Sequence, residues 1–144
     1  MTKRVTREEC NCFALRQAAR FVTQLYERHL SQAGVTAAQF TILSRLAGRP
    51  DATAAELSDD LVMDRTTLVR ALKPLQRDAL VISAAAEHDT RVLVYRLSAA
   101  GVRRYEKAHV LWQDAQAEFE RYVKRDRAKA LRAELFALTK AAAA

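Results

Sequence analysis

The stretch RTTLVRALKPLQR, residues 65–77, carries side chains suited to nucleic-acid chemistry at a spacing that presents them together. At about 100° per residue, Thr66, Arg70, Lys73 and Arg77 share one helix face, opposite Leu68, Leu72 and Leu75. Arg65 and Thr67 flank that face at the helix start. Arginine bonds bidentately to guanine, and threonine contacts a thymine methyl or a phosphate. Lys73 and Arg77 suit phosphate oxygens. A second pair, Asp89 and Arg91, stands in EHDTR between two β-rich apolar runs, 80–86 and 92–97. A guanidinium at a hairpin tip can enter a narrow A·T-rich minor groove, where the negative potential is deep. A carboxylate two residues back can accept hydrogen bonds from it and restrict its rotamers. Thiol chemistry is the third possibility. Cys12 lies in CNCFALRQ with Arg16 one helical turn on, where a cation would assist oxidation of the thiol.

The composition limits what else the chain could do. Net charge is +7 and the pI is about 9.8, which suits a polyanionic partner. The histidines His29, His88 and His109 have no metal-ligand spacing. There is no Gly-rich phosphate loop and no nucleophile motif, so neither enzyme, cofactor nor metal site is expected. No apolar run approaches the ~20 residues of a membrane span, and MTKRVTREEC has no apolar signal core, so a cytoplasmic protein is expected. If Cys10 and Cys12 lie on one helix, their side chains diverge by about 200°. That argues against an intramolecular disulfide and leaves Cys10 to a bond between chains.

These residues need a scaffold, and the apolar spacing supplies one. With three glycines and two prolines, helix should dominate a single compact domain. Residues 8–31 read as a helix with Cys12, Leu15, Ala19, Val22, Tyr26 and His29 in one stripe, closed by Gly34. Thr36 with Gln39, and Thr53 with Glu56, are capping-box patterns opening two more helices. Asp64 caps the helix at 65–78, where Pro74 should kink or loosen the last turn. Ser98 caps a long helix to about residue 123, with Val102, Tyr105, His109, Trp112 and Phe119 inward. Asp126 would cap a last helix carrying Leu131, Leu135 and Leu138. The fold class is therefore mostly α with a small β-hairpin wing: a winged helix-turn-helix lobe at 35–97, within one domain of residues 1–144. Segments 8–34 and 98–144 expose more apolar helix than so small a middle can cover, and pairing with a second copy is the expected solution.

In this order, TAAELSDDLVMDRTTLVRALKPLQRDALV at 53–81 and DTRVLVYRLSAAG at 89–101 resemble the MarR family of bacterial transcription regulators. Asp89, Arg91, Leu97, Ser98 and Gly101 match its D-x-R and L-[ST]-x-x-G patterns. The resemblance covers nearly the whole chain. It implies a triangular homodimer on double-stranded DNA, at a pseudo-palindromic operator, with Asp89 and Arg91 in the wing roles above. Ala79 stands where the family often has Gly. If that position is left-handed, Ala costs on the order of 1 kcal/mol; alternatively, the Pro74 turn ends the helix differently.

The resemblance also implies a signal. In one mode a small aromatic, often phenolic, acid releases the repressor from DNA. Candidate residues are Arg16, Arg20, Tyr26, His29, Phe40 and Trp112, since an arginine beside rings suits a carboxylated aromatic. In another, similar to the organic-hydroperoxide-sensing branch, Cys12 is the sensor. Tyr26 matches one tyrosine of that branch, whereas Arg16 and Ala37 replace two others. A non-specific architectural DNA binder would use the same basic surfaces.

Overall fold

The computed structural model describes residues 1–143. Its helices are α1 (Asn11–Leu30), α2 (Ala37–Gly48), α3 (Ala54–Leu61), α4 (Arg65–Arg77), α5 (Ala99–Val123) and α6 (Arg125–Ala143). Strands β1 (Ala52–Thr53), β2 (Val81–Ala85) and β3 (Leu93–Leu97) form an antiparallel sheet in the order β1-β3-β2. The fold is mostly helical with a small β wing. The chain divides into two compact units, one of residues 27–112 and one of 1–26 with 113–144.

The first unit is built on local signals. Thr36 accepts the amide of Gln39 at 3.1 Å while the Gln39 side chain caps Thr36, and Thr53 and Glu56 repeat the arrangement. Asp64 accepts the Thr67 amide at 2.8 Å and starts α4. Leu68, Leu72 and Leu75 turn inward from α4 and are buried with Ile42, Leu43, Leu46 and Leu57. Between α3 and α4 the chain turns through Val62, whose left-handed backbone (φ 50°) strains a β-branched residue. The register Val81↔Leu97 to Ala85↔Leu93 leads into a tip closed by Val92 N–H donating to the Asp89 carbonyl at 3.1 Å.

The end of α4 decides between the two readings left open by the sequence. Pro74 does not stop the helix, and the Asp78 amide still reaches the Pro74 carbonyl at 3.0 Å. Ala79 is left-handed (φ 55°), with its own amide on the Gln76 carbonyl and the Leu80 amide on that of Leu75. This is a Schellman ending with alanine where glycine costs least. The L-S-x-x-G pattern meets it from the other side. The Ser98 hydroxyl donates to the Ala79 carbonyl at 2.6 Å, and the Ser98 amide to the Leu80 carbonyl at 3.0 Å. The same hydroxyl oxygen accepts the Gly101 amide at 3.0 Å, capping α5. A Cβ on Gly101 would lie 2.0 Å from the Leu80 oxygen, which is why no other residue fits there.

In the other unit most of the helical surface is open. Residues 11–20 of α1 are all exposed, and Ala128 is the one buried residue of α6 among those described. Phe21 and Tyr122 meet edge to face at 6.3 Å.

Several expectations need correction. The helix expected at 8–31 begins at Asn11, after a 3-10 turn at Arg7–Glu9. Asp126 lies inside the first turn of α6 and does not cap it. The buried positions of α5 are the small residues Gly101, Ala108 and Ala115; Tyr105, His109, Trp112 and Phe119 are half-buried and Val102 is exposed. Strand β1 was not expected at all: two residues carry no alternation to read.

Gly101→Ala should destabilise the protein by ~2–4 kcal/mol, because the added methyl overlaps a backbone carbonyl that cannot rotate away. Ala79→Gly should gain up to ~1 kcal/mol at a left-handed position. Urea denaturation followed by circular dichroism measures both, and equal stability of the three proteins would refute the steric argument.

Candidate nucleic-acid interface

The opposite face of α4 from its leucines is open and basic. Arg65, Thr66, Arg70 and Lys73 are exposed and form no ion pair among the described residues. Two expected members are already engaged. The Thr67 hydroxyl donates to Asp64 at 2.7 Å, so its first task is capping. Arg77 donates from Nε to Asp78 at 3.1 Å, which offsets its charge locally. That hydrogen bond raises the pKa of Arg77 and lowers that of Asp78. Asp64 is held below the ordinary carboxylate range, first by the Thr67 amide.

At the wing tip the two charged residues are bonded twice over. The Asp89 carboxylate accepts the Arg91 backbone amide at 3.0 Å, forming a small side-chain turn. It also accepts Nε and Nη2 of the same residue at 3.1 and 3.3 Å. The Arg91 side chain remains 89% exposed, so it is oriented without being covered. Arg96 of β3 pairs with Asp51 at 2.7 Å and ties the wing to the segment before β1. Between α2 and α3, Arg45 donates from Nε to Asp60 at 2.6 Å. Neither of these ion pairs was foreseen, and no spacing rule finds partners 45 or 15 residues apart.

The candidate signal residues fall into separate groups. Within residues 27–112, Phe40 and Trp112 stack at 6.2 Å, and Trp112 also stacks on His109 at 5.5 Å. His29 is half-buried in the same unit. In the other unit, Arg16 and Arg20 line a shallow groove with Thr23 and Gln24. Tyr26 there donates its hydroxyl to Gln116 and borders an apolar groove of about 500 Å³. Burial, then the nearby Glu120 carboxylate, push the Tyr26 pKa up, so the phenol stays a neutral donor.

Cys12 is exposed in the first turn of α1. Cys10 precedes the helix with extended backbone (φ −100°, ψ 106°), so the supposition that both cysteines share one helix fails. The Cys10 sulfur accepts the Phe13 amide at 3.4 Å. Tyr26 lies fourteen residues beyond Cys12 on one continuous helix, about 21 Å away, and cannot touch it within one chain. No cluster that could hold a metal ion occurs among the described residues, and no helix among them is long and apolar enough to cross a membrane.

Helix, turn, exposed basic helix and charged wing define a winged helix-turn-helix of the DNA-binding type. Comparison with known proteins agrees. The sequence profile of the MarR family matches residues 33–92. The M. tuberculosis transcriptional regulator MosR, solved in complex with DNA, is 35% identical over 93% of this chain and 98% of that one, with a TM-score of 0.79. A mutant E. coli MarR complexed with operator DNA is 25% identical over 94% and 99% of the two chains, with a TM-score of 0.82. The organic hydroperoxide resistance transcriptional regulator of Bacillus subtilis is 28% identical over 97 residues, 67% of this chain and 66% of that protein. The chain belongs to the MarR family of winged helix-turn-helix transcriptional regulators.

The Asp89–Arg91 pairing makes a pH prediction. Its hydrogen bonds to Arg91, side chain first, lower the Asp89 pKa. The pair is therefore complete above the ordinary carboxylate range and is lost only as pH falls through the lowered value. A carbon-detected NMR titration should find the Asp89 midpoint below the ordinary ~3.9, and Arg91→Ala should raise it part of the way, since the backbone amide at position 91 still donates to the carboxylate. An ordinary midpoint in the unaltered protein would mean the wing tip is not held in this way.

Proposed function

We propose that this chain is a homodimeric repressor that binds a pseudo-palindromic DNA operator and lets go when a small molecule signals. The observation carrying this reading is the division of labour among its cations. Arg45 and Arg96 are spent on acids that hold the lobe together, while Arg65, Arg70, Lys73 and the oriented Arg91 are left facing solvent. Helix α4 would enter a major groove with its N-terminal half on base edges, and Arg91 would enter the adjoining minor groove. The relatives solved with DNA support the reading. A second copy would cover Phe13, Leu15, Phe21, Leu131, Leu135 and Phe136, which stand 37–66% exposed in the single chain. It is also the one source of a Tyr26 able to reach Cys12.

Footprinting on selected DNA, repeated with variants, tests the DNA-binding part. Arg91→Ala should weaken operator binding by ~1–3 kcal/mol without loss of fold. Arg70→Ala should also weaken it. If the loss is uniform across sequences and the salt slope falls by ~0.9, Arg70 holds phosphate; if it depends on sequence, Arg70 reads a base. Unchanged affinity in both variants, or equal binding to all sequences, would contradict the proposal, the latter pointing to an architectural protein.

For the signal, an aromatic carboxylic acid is the first reading, and its candidate contacts fall in two separate sets, Arg16, Arg20 and Tyr26 in one unit and His29, Phe40 and Trp112 in the other. Exposure of Cys12, and similarity to a hydroperoxide-resistance regulator, support a second. A thiolate there would attack the peroxide oxygen, giving a sulfenic acid and an alcohol. Cys12→Ser should bind DNA as the wild type does, since it lies outside the lobe that carries α4. The first reading predicts that aromatic acids release both proteins. Release of the wild type alone by micromolar organic hydroperoxide would overturn it and assign the signal to Cys12.

A further inference from the structure

Helix α4 shows one exposed apolar side chain, Val69, at the border between its leucine stripe and its basic face. Val69 is 41% exposed, whereas Leu68 and Leu72 beside it are 0% and 2% exposed. It is the fifth residue of the helix, in the half from which helix-turn-helix proteins touch base edges. Thr66 stands three residues before it, Arg65 four before and Lys73 four after, so all four side chains share one helix edge. This edge adjoins the face of Thr66, Arg70 and Lys73 and does not belong to the leucine stripe.

Val69 is not among the buried core residues. Its side chain adds little to the core, and a β-branched residue lowers helix propensity at an exposed position. What valine does offer is stiffness: one χ1 rotamer dominates in a helix, so its two methyls point in a fixed direction and lose little entropy on contact. Among the groups lining a major groove, the apolar one is the thymine C5-methyl; the others are hydrogen-bond donors and acceptors that a valine would leave unpaired.

We infer that Val69 is a specificity residue: its methyls pack on the C5-methyl of one thymine in each operator half-site, and the cations around it set the register. This rests on the DNA-binding reading above and adds to it which base the helix selects and through which atom.

Single-atom-group replacement in the DNA tests it. The operator is first selected from random duplexes with the wild-type protein. Each thymine is then replaced in turn by deoxyuridine, which lacks the methyl and keeps every hydrogen-bonding group. Fluorescence anisotropy is read for the wild type and for Val69→Ala, with circular dichroism confirming equal helix content. We expect one thymine per half-site at which the replacement weakens the wild type about fourfold, corresponding to ~0.8 kcal/mol for one buried methyl-sized group. Val69→Ala should bind the thymine and uracil duplexes alike at that position, near the wild-type affinity for uracil. Indifference of the wild type to every replacement overturns the inference, as does a Val69→Ala protein that keeps the full thymine preference. In either case selection of a defined operator leaves the DNA-binding reading standing. If no sequence is selected at all, both fail.

Discussion

The structure turns on two backbone carbonyls. Once Ala79 takes its left-handed turn, the carbonyls of Ala79 and Leu80 point away from α4 and need donors. Ser98 supplies both, through its hydroxyl and its amide, and Gly101 is small enough to let α5 close over Leu80. The end of α4, the first residue of β2, the last of β3 and the first turn of α5 are thereby fixed at one point. A wing and a recognition helix are useful only if held at a set separation, and here that separation is set by hydrogen bonds within a few residues. The turn uses alanine where glycine would cost less, so the sequence tolerates some strain at the junction.

The distribution of charge follows from that frame. An excess of 24 basic over 17 acidic residues says only that a polyanion would be attracted. The structure separates cations that bridge elements from cations left facing solvent. Arg45 and Arg96 bridge elements, and Arg77 leans on Asp78. Arg91 is a third kind, bonded to Asp89 yet almost wholly in solvent. Such an exposed pair contributes little to stability. Its consequence is geometric: the guanidinium is oriented by the carboxylate while it remains in solvent.

Much of this was legible in the sequence, because the determining signals are local. Thr36 with Gln39, Thr53 with Glu56, Asp64 and Ser98 each announce a helix start within three residues of themselves, and all four cap as expected. The leucine stripe of α4 fixed its inner face, and the D-x-R pair marked the wing tip. What escaped was non-local or too short. Asp51–Arg96 and Arg45–Asp60 join distant positions, and β1 is two residues long. The inward residues expected on α5 were the large ones, because hydrophobicity guides such readings, whereas close approach selected Gly101, Ala108 and Ala115. That Val69 stands exposed is not legible from spacing, since a valine next to Leu68 and Leu72 reads as an extension of their stripe. The helices outside the lobe were legible as helices, but their packing was not, since most of their apolar residues stand open in the single chain.

That last point holds the central claim: two chains act together, each offering one α4 to one half-site. Sedimentation equilibrium of the protein, alone and with a duplex carrying the selected operator, measures it directly. The account predicts a stable dimer at micromolar concentration and two chains per duplex. A monomer that stays a monomer, or one chain per duplex at saturation, would contradict it.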